Sequence, residues 1–194
     1  NRARRALGDP SPLATGSGGY VFSDDPSWEI DAEAFVSLVD QGRFREALER
    51  WGGDPLPEDI YAEWAQGYRA TLLRTYQECL EGAAAEAIDR RTVGEAVVFA
   101  QHAVANDPLR EAANMAVVRA LAAAGDQAGS LAAFDDFRSR LGDELGLEPS
   151  QEAYELQGRV IRHEAIAVSG GSWPPNPSGA SSVSPRFVCR DAEL

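Results

Sequence analysis

TVGEAVVFAQHAVANDPLREAANMAVVRALAAAGDQAGSLAAFDDFRSRLGDEL, residues 92–145, reads as helix, tight turn, helix, tight turn, helix. Small residues stand where neighbouring helices must touch. Ala96, Ala100 and Ala103 recur 34 residues later as Ser130, Phe134 and Phe137. Gly125 before Asp126 marks the turn between the two helices of a pair, because glycine closes a helix without a Cβ penalty. Asp107-Pro108 is read as the start of that pair, with Asp107 as N-cap and Pro108 at the first helical position. Such a unit cannot bury its apolar stripe alone and must stack on others like it. The flanking sequence is therefore expected to supply more helix pairs.

A period of 34 is that of tetratricopeptide (TPR) repeats, and the preceding stretch fits it. Phe35, Leu38 and Val39 share one helical face behind Asp31, a candidate N-cap. Gly42 ends that helix, and the next runs from Phe44 to Trp51. Gly42, Ala47 and Trp51 repeat the spacing of Gly125, Ser130 and Phe134, which makes a further pair. After a loop at residues 52–57, a long helix from about Tyr61 to Arg90 carries Trp64, Tyr68, Leu72, Leu73, Tyr76 and Leu80 on its expected buried stripe. Thr92 and Glu95 have capping-box spacing for the helix that follows. Beyond residue 145, Gly146 stops a helix and Ser150 restarts one, with Tyr154, Leu156, Val160 and Ile161 able to pack back. The fold class is all-α, a TPR-like helical repeat array of about seven helices.

Apolar residues make up 44% and charged residues 25%, ordinary values for a globular chain. No apolar run reaches the length of a membrane span. Arg-rich residues 1–7 lack a following apolar segment, so no signal peptide is read there. Cys79 and Cys189 lie far apart, and a reducing cytoplasmic setting is expected. Net charge is −13, and every basic residue is arginine. A body this acidic repels phosphate backbones and suits a basic protein partner better than nucleic acid.

The two ends read differently. Gly8-Asp9-Pro10 stops a short helix end, and Leu13-Ala14-Thr15, a glycine turn and Tyr20-Val21-Phe22 form a β-hairpin pattern. So small a unit builds no core, and the chain reads as starting inside a domain. Residues 167–185 are mostly Ser, Gly and Pro, a linker composition, and residues 186–194 regain order-promoting character.

The order Ile30-Asp31…Phe35, Ala47-Leu48…Trp51, Gly53-Asp54-Pro55-Leu56 and Trp64…Arg69…Leu72 resembles the bacterial transcriptional activation domain. So do Asp107-Pro108-Leu109-Arg110-Glu111-Ala112, Arg119 through Asp126, and Glu144-Leu145-Gly146-Leu147-Glu148-Pro149-Ser150. That domain belongs to the SARP/AfsR family of actinobacterial regulators (Streptomyces antibiotic regulatory proteins), and the resemblance assigns it residues 24–166. Residues 1–23, with Arg4-Arg5-Ala6-Leu7-Gly8, Thr15 and Gly18-Gly19-Tyr20, are similar to the end of an OmpR-type winged-helix domain. Residues 187–194 look like the opening of a STAND-type ATPase domain, with Cys189 where Gly usually stands.

The resemblance implies an activator of transcription. Its winged helix would contact DNA through Arg2, Arg4, Arg5, Thr15 and Tyr20, and its helical array would recruit RNA polymerase or a σ factor, alone or as a homodimer. Trp51, Trp64, Ala96, Ala103, Pro108, Gly125 and Phe134 are its structural TPR positions. The competing expectation is an intramolecular scaffold or dimerisation module that couples a DNA reader to an ATPase. Aromatic residues at helical spacing read as core before they read as a peptide groove, and Trp173 beside Pro174-Pro175 reads as an exposed residue or a docking anchor. His102 and His163 lack partners at metal-ligand spacing, and no GxSxG, P-loop, CxxC or HExxH is present. No cofactor, metal or enzyme activity is therefore expected. Asp135-Asp136 and Asp143-Glu144 read as a solvated acidic face, since adjacent positions on a helix do not face each other.

Overall fold

A computed structural model describes residues 13–16, 19–22 and 29–164. Arg2, Arg4, Arg5, Trp173, Cys189 and the segments 167–185 and 186–194 lie outside the described residues. Strands β1 (Leu13–Gly16) and β2 (Gly19–Phe22) pair antiparallel, with Thr15 opposite Tyr20. Seven helices follow among the described residues. They are α1 (Asp31–Asp40), α2 (Phe44–Arg50), α3 (Glu63–Asp89), α4 (Val93–Asn106), α5 (Glu111–Ala123), α6 (Gln127–Leu145) and α7 (Gln151–Ile161).

Each helix packs on the next, and α1, α3, α5 and α7 also touch one another in that order. The alternate row α2, α4, α6 makes no mutual contact of similar extent among the described residues. Touching on one side and splaying on the other curves a stack, so the first row forms its inner face. Three layers between α3, α4 and α5 show the register. Leu80, Ala103 and Ala113 form one, Ala84, Ala100 and Ala116 the next, Ala87, Ala96 and Ala120 the third. The numbers rise along α3 and α5 and fall along α4, so α4 runs antiparallel to both. Alanine allows this close approach and is also the best helix former. Larger residues fill the two ends: Phe35, Val39 and Leu72 at the first, Phe134, Phe137, Leu141 and Leu156 at the last.

The turns inside the pairs share one geometry. Gly42, Arg91 and Gly125 have φ of +71°, +62° and +79°. After each, an amide reaches back five residues: Arg43 to the Leu38 carbonyl, Thr92 to Ala87, Asp126 to Leu121, all at 2.9 Å. This is a Schellman closure, which satisfies carbonyls the helix end leaves open. The Asp126 side chain then accepts from Gly129 N–H at 2.8 Å and caps α6. Ser150 caps α7 by accepting from Ala153 N–H, and Gly146 ends α6 with φ +66°.

Several local expectations are corrected. Helix α5 starts at Glu111, so Pro108 is not its first residue, and Asp107 is the C-cap of α4. Residues 107–110 form a turn closed by Arg110 N–H on the Asp107 carbonyl at 3.2 Å. Pro108 stays useful there through its carbonyl, which accepts from Asn114 Nδ2 and Arg140, each at 3.0 Å. Asp31 is the first residue of α1 rather than its cap. The Thr92–Glu95 capping box does not form: the Thr92 hydroxyl donates to the Ala87 carbonyl, and Glu95 pairs with Arg45. Trp64 and Leu73 lie outside the stripe, Trp64 being 59% exposed, and Ile161 is exposed as well.

Glycines inside α3 differ sharply in their surroundings. A Cβ on Gly82 would stand 2.5 Å from the Phe44 ring, whereas one on Gly67 meets nothing within 4 Å. Gly67→Ala is expected to stabilise the chain by about 0.5–1 kcal/mol through helix propensity. Gly82→Ala is expected to destabilise it by about 1–2 kcal/mol through overpacking that outweighs the same gain. Paired urea titrations check this, and equal effects would contradict the contact.

Candidate functional site

The array presents three features a partner can use: an anchored loop, a cleft at the α4–α5 junction and an acidic outer helix. The loop is held by Arg69 on α3, whose side chain is 12% exposed. It donates to the Leu56 carbonyl at 3.0 Å and to Asp54 Oδ2 at 3.3 Å. Leu56 takes φ +48° there, an uncommon conformation that this bond helps to hold. Beside it, Trp51 stacks on Tyr76 at 4.4 Å and tilts against Phe35 at 4.9 Å. Tyr61 and Trp64 are exposed at the start of α3.

The cleft holds about 270 Å³ and is lined by Leu73, Arg74, Tyr76, Gln77, Asn106 and Arg110. Arg110 Nε donates to Glu81 Oε1 at 2.5 Å and fixes the turn after α4 onto α3. The Glu81 bond raises the Arg110 pKa further. Gln77 is buried, and its amide nitrogen donates to the Ala103 carbonyl at 2.9 Å. Its Oε1 finds no donor among the described residues. On the outer row, Asp135, Asp136, Asp143 and Glu144 of α6 are all exposed, and only Asp135 approaches an arginine, Arg138 at 3.6 Å.

No chemical centre stands out among the described residues. No group of three His, Cys, Asp or Glu among the described residues is placed to hold a metal. Cys79 is fully buried and donates to the Phe44 carbonyl at 3.3 Å. Burial pushes its thiol up to about 12, from an ordinary 9.0. A thiolate is the reactive form, so Cys79 is expected to react with iodoacetamide at pH 8 at least a hundredfold slower than in urea, in a Cys189→Ser background. The sign of the linkage follows. Below pH 9 the thiol is neutral in both states, while between 9 and 12 only the unfolded chain ionises, so this stabilisation falls as pH rises.

The residues named from sequence fall in distinct places. Ala96, Ala103 and Phe134 are fully buried at helix contacts, Gly125 takes the left-handed turn, and Trp51 is half-buried over Tyr76. Trp64 is exposed, and Pro108 lies in a turn. Thr15 and Tyr20 are cross-strand partners in the hairpin. Sequence reasoning missed the roles of Arg69, Glu81 and Arg110 and the pairing of Arg45 with Glu95, 50 residues apart. That pair holds the Glu95 carboxyl below the usual carboxylate range, the hydrogen bond from Arg45 being the largest cause. No local pattern marks such partners; Arg69 and Arg110 stood out only inside the family motifs.

Residues 31–161 match the family described as "Bacterial transcriptional activator domain". The chain is 31% identical over 176 residues to the regulatory protein AfsR of Streptomyces coelicolor, covering 84% of this chain and 18% of that protein. It is 30% identical over 185 residues to the regulatory protein DnrI of Streptomyces peucetius, covering 87% of this chain and 66% of that one. The transcriptional regulator RedD of Streptomyces coelicolor is 27% identical over 206 residues, covering 94% of this chain and 59% of that protein. The chain thus spans about a fifth of AfsR and just under two thirds of DnrI. Among solved structures, Mycobacterium tuberculosis EmbR in complex with a low affinity phosphopeptide has the same fold. It matches with TM-score 0.67 and 23% identity, over 84% of this chain and 48% of that one.

Proposed function

We propose, from the premise that this chain belongs to the bacterial transcriptional activator domain family of SARP-type regulators, that its helical array recruits RNA polymerase or a σ factor to promoters. The observation that carries this reading is the extent of the family match. It runs from 31 to 161, the first residue of α1 and the last of α7, so the array itself is the family's activating unit. The hairpin of β1 and β2 is the wing of a DNA reader, with Thr15 and Tyr20 on it and Arg2, Arg4 and Arg5 before it, and residues 186–194 open an ATPase domain. Recruitment then needs only binding energy: a protein contact adds to the DNA contact, and tethering raises the local concentration of polymerase. The cytoplasm is the setting for such work. Among the described residues, no helix is long and apolar enough to cross a membrane.

The acidic outer helix gives the contact its polarity. With net charge −13, the chain steers toward a basic surface, and the association rate falls as salt screens it. The test is a titration of the chain against RNA polymerase holoenzyme, without DNA, at two salt concentrations. Saturable binding that weakens at high salt is expected. Asp136→Arg, Asp143→Arg and Glu144→Arg together should weaken it about tenfold or more with no loss of helix content. Absence of binding by a folded chain would replace recruitment with the scaffold or dimerisation reading.

A further inference from the structure

We infer that Arg119 on α5 and Arg159 on α7 form a carboxylate-binding site on the inner face of the array, taking an acidic side chain from an extended segment of its protein partner. This rests on the reading of the array as a protein-binding module and names the chemistry on the partner's side.

The two residues are brought level by the fold. Ser150 N–H donates to Glu111 Oε2 at 2.8 Å, which ties the start of α7 to the start of α5. Arg119 is eight residues beyond Glu111, and Arg159 nine beyond Ser150. At 1.5 Å per residue, both sit about 12–14 Å along neighbouring helices of the inner row. Helical spacing sets their direction. On α5, Ala113, Ala116 and Ala120 pack toward α3 and α4, while Met115 and Val118 join the last cluster. Positions 112, 119 and 123 are left on the inner side. On α7, Ala153, Leu156 and Val160 are buried, and Arg159 is offset from them in the same sense.

Their charges are unanswered. Among the described residues, the arginines at 43, 45, 50, 69, 74, 90, 110, 138 and 162 each pair with a carboxylate. Arg140 donates to the Pro108 carbonyl, and Arg91 is exposed in a turn. Arg119 and Arg159 alone are partly buried without an acceptor among the described residues. Glu164 senses Arg159, but its carboxylate is held by Arg162 at 2.6 Å. Burial first, and the charge of Arg159 second, lower the Arg119 pKa. In a chain with 31 acidic and 18 basic residues, that arrangement costs stability and is relieved by a bound anion. Two planar forks of N–H donors fit a carboxylate closely.

The test is an anisotropy titration of the folded chain at low salt with three labelled probes: hexaglutamate, hexaglutamine and a six-nucleotide oligothymidylate. Hexaglutamate is expected to bind saturably and hexaglutamine not to bind. Arg159→Gln, at a partly exposed position, should weaken hexaglutamate at least tenfold. Arg119→Met should do the same while raising Tm by a few degrees, because a purely structural arginine would lower it. The inference is overturned if hexaglutamate does not bind, or if both variants bind it as the parent does. It is also overturned if oligothymidylate binds as tightly and is lost with the same variants, which would make this a phosphate site. None of these results bears on the polymerase titration, where the outer acidic helix is tested.

Discussion

Phe134→Ala is expected to destabilise the array by about 3–5 kcal/mol, the cost of emptying a fully buried aromatic site that cannot collapse. Phe134 on α6 has no exposed surface and belongs to one core cluster with Met115, Val118, Phe137, Leu156 and Val160, which come from three helices. Tyr154 meets its ring edge-on at 5.5 Å, a geometry worth up to about 1 kcal/mol beyond area alone. Urea unfolding followed by circular dichroism reads the loss directly. A change below about 1 kcal/mol would mean that the last three helices do not share one core.

Trp51→Ala is the second large effect, near 3 kcal/mol, because the indole is half-buried rather than enclosed. Its ring lies flat on Tyr76, with 9° between planes, and against Phe35 at 51°. It thereby joins α2, α3 and α1. The two lesions sit in clusters that share no residue, with the Leu80 layer and two alanine layers between them. A stack whose members touch only neighbours spreads damage weakly. Hydrogen exchange is therefore expected to show α1 and α2 losing protection in the Trp51 variant, and α6 and α7 in the Phe134 variant. Equal loss along all seven helices in both would show one cooperative unit instead.

These expectations also separate what was readable in the chain from what was not. The repeat spacing of Ala96, Ala100 and Ala103 against Ser130, Phe134 and Phe137 predicted buried contacts, and all six are buried. The turns at Gly42 and Gly125 were legible because glycine advertises positive φ; the same turn at Arg91 was not, since arginine carries no such signal. Arg91 is held there by the closure from Thr92 N–H to the Ala87 carbonyl.

Sequence by itself determined the properties that short-range physics decides. These are an all-α repeat of about seven helices, the turn at Gly125, the cap at Ser150 and the stop at Gly146, and the motifs carried the resemblance to a family of transcriptional activators. Tertiary structure alone decided where α5 begins, which face of α3 leaves Trp64 outside, and which charges meet. Glu95 met Arg45 rather than capping its own helix, and Glu81 met Arg110 across 29 residues. Arg119 and Arg159 came level on neighbouring helices, α5 and α7, 40 residues apart. Local patterns set each helix and its apolar stripe. Long-range partners depend on how the stripes of several helices are satisfied together, which no single window of sequence contains.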